Sequence, residues 1–370
     1  MKISVIVPLY YGEKYIKDIM EQIDENAKIL VNHEVELIFY NDSPQQKIEI
    51  EQQKNFLYEI KLIQSDYNRG IHGARVQALR HAIGEYVLFL DQDDRISEKY
   101  LYEQISCIGD ADAVVCRAIH NKRNFYTRSF EFEKVITKDF MLEQRCPIIS
   151  PGQVLIKKTA IPQMWKDHIL KTSGADDYFL WLLMMAFNKK FVLNEKVLFE
   201  HVINGVNASY DTNKMMDSEL EMLEILQSSK VFNEADTEKL GLLSISLRKS
   251  HVKELDNYRR MYCFWKEWCK ESKNNNIFLN TYRQKSIAIY GAGEFGRSLK
   301  NALDEEGVYV SFFIDQNAEF INETIPVYTL DAMPNGVAAI ITTIKSNELK
   351  KKLQHIGQCC VYDVEEILCK

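Results

Sequence analysis

The stretch "GEYVLFLDQDDRISEKY", residues 84–100, decides how this chain is read. Tyr86 to Asp91 has the length and apolar character of a buried strand, and the acids Asp91, Asp93 and Asp94 fall at its end. Carboxylates packed this closely repel one another, so their clustering needs a reason. An Asp-x-Asp at a strand end suits a hard divalent cation such as Mg2+ or Mn2+. Such an ion is held by one or two carboxylates and fills its other positions with water and phosphate oxygens. The plainer alternative is a solvated turn in which Asp94 caps the following helix.

Outward from this strand the pattern repeats. "KISVIVPLY" (2–10), "VELIFYND" (35–42), "YEIKLIQS" (58–65) and "ADAVVCRA" (111–118) also read as strands, while Lys14–Val31 and Gly73–Ile83 carry helical spacing. Alternating strands and helices imply βα units on a largely parallel sheet. From about Ser209 to Tyr282 the patterns are helical only, and "KNNNIF" (273–278) reads as a linker. "KSIAIYGAG" then opens a second α/β unit, with later strands at 308–315 and 337–344. The expected domains are therefore 1–208, a helical segment 209–283, and 284–370.

Composition narrows the classes. The chain has 370 residues, 46% hydrophobic and 27% charged, an ordinary globular balance. A net charge of −7 argues against a nucleic-acid partner. No apolar run approaches the roughly 20 residues that span a bilayer, and "MKISVIVPLYYGEKY" reads as a first strand, not a signal peptide. The eight cysteines show no C-x-x-C spacing, so neither a metal cluster nor a disulfide framework is expected, and a reducing cytoplasm fits best.

Ligands of open parallel sheets bind beyond the carboxyl ends of the strands. There the first strand offers Pro8, Tyr10 and Glu13, and the second Asn41, Asp42 and Ser43. The turn "NRGIHGAR" after the third carries Asn68, Gly70 and Arg75, with an arginine able to reach a phosphate. Downstream, Asp176 and Asp177 open the apolar helix "ADDYFLWLL". They either favour its dipole or supply a general base.

In this order and spacing, about residues 1–210 resemble the family 2 glycosyltransferases of the nucleotide-diphospho-sugar transferase (GT-A) fold. "VSVIVPxYN" stands here as "ISVIVPLYY", "ELIVVDDGS" as "ELIFYNDSP", and "NxGxxxARN" as "NRGIHGARV". "GEYIxFLDxDD" stands as "GEYVLFLDQDD", the "ED" helix as "ADDYFLWLL", and a later "H…N…S" as "HVINGVNAS". The resemblance implies that Pro8, Tyr10 and Glu13 line a nucleotide pocket, that Asp42 reads the base, and that Asn68, Gly70 and Arg75 lie near diphosphate or ribose. It implies Asp91, Gln92 and Asp93 as the sugar-nucleotide motif, with Asp93, Asp91 and His201 toward Mn2+ or Mg2+. Asp177 would deprotonate the acceptor hydroxyl, Asp176 being its alternative, in one inverting displacement. The donor implied is a UDP- or dTDP-linked sugar and the acceptor a glycan or lipid-linked saccharide of a bacterial surface polymer such as capsule or O-antigen. Tyr11 replaces the usual Asn, Asn41 the first of two acids, Val76 the Asn after Arg75, and Asp176 a Glu.

Two stretches stand apart. "YRRMYCFWKEWCK" puts Tyr258, Met261, Tyr262, Trp265, Trp268 and Cys269 on one helical face, either a packing stripe or a membrane-surface helix at the inner face of the membrane. "IAIYGAGEFGRSL" has Gly291, Gly293 and Gly296 between a strand and a helix, with Asp315 ending the next strand. This has the context of a dinucleotide fingerprint, in a Rossmann-like module expected to serve docking, homo-oligomerisation or nucleotide binding. A nucleotidyltransferase and an NAD(H)-binding sensor with a degenerate first domain are the competing functions. The first strand lacks the Gly-rich basic signature that holds a triphosphate, which counts against the former.

Overall fold

The computed structural model describes residues 1–50, 56–120, 123–124, 132–202, 212–271, 277–318, 321, 323–343 and 346–368. They fall into two compact units, the first comprising Met1–Ile203 with Asn207–Leu247 and the second Arg248–Lys370.

The first unit begins β1 (Lys2–Leu9), α1 (Ile16–Ile29), β2 (Glu34–Asn41), β3 (Glu59–Gln64), α2 (Gly70–His81) and β4 (Tyr86–Phe89). The chain continues through β5 (Arg95–Ile96), α3 (Tyr100–Ile108), β6 (Ala113–His120), β7 (Arg123–Asn124), α4 (Phe132–Val135) and α5 (Lys138–Gln144). It closes with β8 (Val154–Lys157), α6 (Gln163–Asp167), α7 (Asp176–Ala186), β9 (Phe191–His201), α8 (Thr212–Ser228) and the start of α9 (Glu234–Glu271).

The sheet order is β3-β2-β1-β4-β8-β6-β9-β5, with β7 on β6. β1 pairs in parallel with β2 and β4. β8 runs antiparallel between β4 and β6, and β6 and β9 are parallel. This mixed α/β sheet is the GT-A architecture that the resemblance implied.

β1 shows why the sheet is central. Every residue from Ile3 to Leu9 is buried, as in a strand covered on both faces. Ile6 with Ile38 and Phe89 enters one core, whereas Val5, Leu37 and Leu88 enter the other. α7 is apolar nearly all round, and Tyr178 through Met184 are buried, so it is an interior helix. After β1 the chain builds β2 and β3 on one side and returns to place β4 on the other. That reversal puts the topological switch point, outside which such sheets bind ligands in a crevice, at the carboxyl ends of β1 and β4.

The second unit takes the rest of α9, then α10 (Ile277–Tyr282), β10 (Ser286–Tyr290), α11 (Glu294–Glu305), β11 (Tyr309–Ile314) and β12 (Val327–Tyr328). It ends with β13 (Ala339–Thr342), α12 (Asn347–Gly357), β14 (Cys360–Asp363) and α13 (Val364–Leu368). All pairs in its sheet, β12-β11-β10-β13-β14, are parallel, a Rossmann-like arrangement. Trp265 and Cys269 of the aromatic stripe are buried in this unit's core with Phe278, Leu279 and Leu299; the side chain of Tyr258 lies outside the description. Residues 273–276 of the expected linker also lie outside the described residues, and its last two, Ile277 and Phe278, open α10. Among the described residues, no helix is long and apolar enough to cross a membrane.

Candidate active site

The loop after β1 and the turn after β4 are tied together by one side chain. Gln92 Oε1 accepts the Tyr10 amide at 3.0 Å, and its Nε2 donates to the Tyr10 carbonyl at 3.2 Å. A Cβ at Gly12 would lie 2.1 Å from Gln92 Oε1, so the close approach needs glycine there. Tyr11 stands at φ 48°, the left-handed region that Asn tolerates better than an aromatic residue. Its amide donates to Ser43 Oγ at 2.7 Å. The exposed rings of Tyr10 and Tyr11 meet edge to face at 4.8 Å.

Asn41, the last residue of β2, and Asp42 after it anchor the surrounding loops. Asn41 is fully buried, its amide donating to the Gln46 carbonyl at 2.6 Å and to Gln64 Oε1 at 2.7 Å. Asp42 accepts the Arg69 amide at 2.9 and 3.0 Å, which pins the start of α2 under the crevice. Burial raises the Asp42 carboxyl above its ordinary value, and the Arg69 and Gly70 amides offset part of this. Asn68 Oδ1 takes the Gly70 amide at 2.8 Å, and Gly70 adopts φ 70°. Pro8 lies buried in β1 opposite Tyr40, while exposed Glu13 accepts from Gln46 Nε2 at 3.0 Å.

Arg75 occupies the centre. Only 4% exposed, it donates Nη1 to Asp176 Oδ2 at 2.7 Å and Nη2 to Asp91 Oδ1. Burial works against its charge, but the charges of Asp176, Asp91 and Asp177 outweigh it and keep the guanidinium firmly protonated. The turn after β4 and the first turn of α7 therefore meet across one arginine. Asp176 is 2% exposed, and its carbonyl accepts Trp165 Nε1 at 2.7 Å. Asp177 is half-buried, with Oδ1 accepting the Tyr178 amide at 2.7 Å. Burial, then the charge of Asp176, pushes its carboxyl up to about 7.

The other acids of the turn divide their work. Asp94, 1% exposed, accepts His201 Nδ1 at 2.8 Å, Ser150 Oγ at 2.7 Å and the Val202 amide at 3.1 Å. Ser150 Oγ also reaches Asp91 Oδ2 at 3.4 Å. Asp93 is pushed up to about 6 by burial and by its neighbours Asp94 and Asp91. Burial lowers His201, but its hydrogen bond and charge contacts with Asp94 outweigh this and raise it.

This donor set can be tested against a divalent cation. Among the described residues no group of three or more His, Cys, Asp or Glu is arranged as a ready metal cage. What is present is a turn with an excess of negative charge and an imidazole oriented through Nδ1 by a carboxylate, as metal-binding histidines usually are. Such a partial set fits an ion completed by substrate phosphates.

Spacing alone did not disclose Ser150, Trp165 or the clamp of Asp94 on His201; the break at "SPGQ" marked only a loop. Gln153 in that loop is fully buried, bonding the Ile149 amide at 2.7 Å and the Cys116 carbonyl at 3.0 Å. Residues 203–209 of the segment after His201 lie outside the described residues.

In the second unit Gly291 adopts φ 103°, and a Cβ at Gly296 would lie 1.9 Å from the Gly291 carbonyl oxygen, so this helix and loop require both glycines. Gly293 precedes α11 with open space around it. Asp315 Oδ2 accepts the Ala292 amide at 3.0 Å, so the acid at the end of β11 holds the Gly-rich loop itself.

Residues 4–165 match the family model described as "Glycosyl transferase family 2". Over 112 residues the chain is 34% identical to the Staphylococcus aureus (strain Mu50) "Poly(ribitol-phosphate) beta-N-acetylglucosaminyltransferase TarS", a match covering 30% of this chain and 19% of that relative. Over 208 residues it is 24% identical to the Escherichia coli "UDP-Glc:alpha-D-GlcNAc-diphosphoundecaprenol beta-1,3-glucosyltransferase WfgD", covering 52% of this chain and 73% of that relative. The crystal structure of S. aureus TarS 1-349 in complex with UDP-GlcNAc aligns with a TM-score of 0.47 at 17% identity, over 68% of this chain and 73% of that one. The chain thus spans about a fifth of the length of the staphylococcal relative.

Proposed function

Residues 4–165 belong to glycosyl transferase family 2, and from that premise we propose that the chain moves a sugar from a nucleoside diphosphate to a hydroxyl of a cell-surface polysaccharide or its lipid-linked precursor. The observation that carries this reading is Arg75, which joins Asp91 of the 91–94 turn to Asp176 at the start of α7. Donor-binding acids and a candidate base then border one crevice.

Tyr10 and the 66–70 loop would hold the base and ribose, and Asp91 the sugar nucleotide. Asp93, with Asp91 and His201, would hold Mn2+ or Mg2+. When bound, that ion would neutralise the diphosphate. Asp177 is the base in this reading because Asp176 is already engaged by Arg75. A carboxylate titrating near 7 is matched to accepting a proton at neutral pH. The acceptor oxygen attacks the anomeric carbon as the bond to the diphosphate oxygen breaks. Asp177 takes the hydroxyl proton, the leaving diphosphate keeps the bonding electrons, and the configuration inverts. The relatives' printed acceptors support a surface glycan. In this reading the chain works in the cytoplasm. The second unit would serve docking, self-association or nucleotide binding.

The test is a release assay over UDP-, dTDP- and GDP-linked sugars, with and without EDTA. Nucleoside diphosphate release is expected to need the metal and to fall strongly in Asp93→Ala. Equal release after chelation removes the metal from the mechanism.

A further inference from the structure

Residues 168–175, which lead into Asp177, form neither helix nor strand. A loop of this length loses conformational entropy when held in one shape, so something must brace it. Side chains from two helices do so. On one side, His72 of α2 accepts the Leu170 amide through Nδ1 at 3.0 Å, and its Nε2 lies 3.0 Å from the Trp165 carbonyl. On the other, Glu221 of α8 accepts the Lys171 amide at 3.0 Å on each oxygen and the Thr172 amide at 3.2 Å. Ser218, one turn earlier, accepts the Ala175 amide at 3.0 Å and donates to the Thr172 carbonyl at 2.7 Å. Between these anchors Gly174 adopts φ 144°, and a Cβ there would lie 2.4 Å from Met215 Sδ, so the loop lies against α8. Ala175 is the residue from which α7 starts, and α7 begins with Asp176 and Asp177.

We propose that α8 is part of the catalytic apparatus. Ser218 and Glu221, acting against His72 from the opposite side, are positioning residues that fix the 170–175 loop and present Asp177 to the acceptor oxygen. The inference rests on the reading of Asp177 as the base. It also makes the stretch after residue 208 an integral part of the transferase unit and not a connector. A displacement of about 1 Å at a reacting group costs about 100-fold in rate, so a brace of this kind controls turnover without touching substrate.

The experiment is hydrogen–deuterium exchange on full-length Ser218→Ala and Glu221→Gln, alongside nucleoside diphosphate release from UDP-, dTDP- and GDP-sugars. Exchange across 170–178 should quicken about tenfold while the strands keep their protection. Turnover should fall about 10- to 100-fold with the donor KM nearly unchanged. Ser218→Thr, which keeps the hydroxyl, should restore both. Unchanged exchange in 170–178 overturns the brace, and quickened exchange with wild-type turnover overturns its positioning role. Asp177→Asn run in parallel separates the two claims: wild-type release there removes the base, while the exchange data still judge the brace.

Discussion

At the amino ends of the first sheet's strands, Glu36 is fully buried and its charge is answered on every side. Lys61 Nζ reaches it at 2.8 Å, Ser4 Oγ donates to it, and the Ile83 and Gly84 amides bind it at 2.7 and 3.2 Å. Burial alone would raise this carboxyl, but the Lys61 and Ser4 hydrogen bonds, with the Ile83 amide, outweigh it and hold it below its ordinary value. At the carboxyl ends the balance is reversed. Burial, and then the charge of neighbouring carboxylates, pushes Asp177 and Asp93 up to about 7 and about 6. One acid staples the α2–β4 turn to the sheet; the others sit where burial and like charge favour the protonated form. Burial does not distinguish structure from chemistry here; the surplus of charge does.

The largest effect should come from Asp177→Asn, which keeps shape and removes the base. Transfer is expected to fall about 100- to 10,000-fold, the usual range for a general base, while titration calorimetry should show the donor still binding. Glu36→Ala should do the opposite, losing about 2–3 kcal/mol in denaturant unfolding because buried partners are left behind. Turnover per folded molecule should stay at the wild-type level.

The acids were legible because each lies within a few residues of a strand or helix end, where hydrophobic periodicity points. Their partners were not. Arg75 and Asp176 are 101 positions apart, Ser150 and Asp94 56, and Ser218 and Thr172 46. Such contacts depend on sheet order, and nothing in the run "VLIK" announces that β8 enters antiparallel beside β4. Asn41 and Asp42 illustrate a second limit: motif position identified them, yet their hydrogen bonds serve the loops beneath the crevice. The stripe at Trp265 reads as amphipathic by spacing, and only the packing of α9 shows that Trp265 and Cys269 are buried and Trp268 partly so.

Solution pH should separate the two ends more finely. Glu36 lies below its ordinary value, so its stabilisation is present at neutral pH and is lost as the pH falls through its folded-state titration. Asp177 lies above, so its contribution is fully present below the ordinary aspartate value and is lost progressively as the pH rises from there to about 7. Unfolding measured across this range should lose the slope between the ordinary aspartate value and about pH 7 in Asp177→Asn, and the slope below the ordinary glutamate value in Glu36→Gln. The smallest effect expected is from Tyr11→Asn, which should stabilise by about 1 kcal/mol by easing the left-handed backbone; a lower melting temperature would show that the ring's edge contact with Tyr10 matters more.

The most direct test is a carbon-13 NMR titration of the Asp177 carboxyl in the ligand-free protein, with Glu36 read in the same sample. The account predicts a midpoint near 7 for Asp177 and one below the ordinary glutamate value for Glu36. An Asp177 that titrates like a solvated aspartate, alongside an unchanged Glu36, would contradict it.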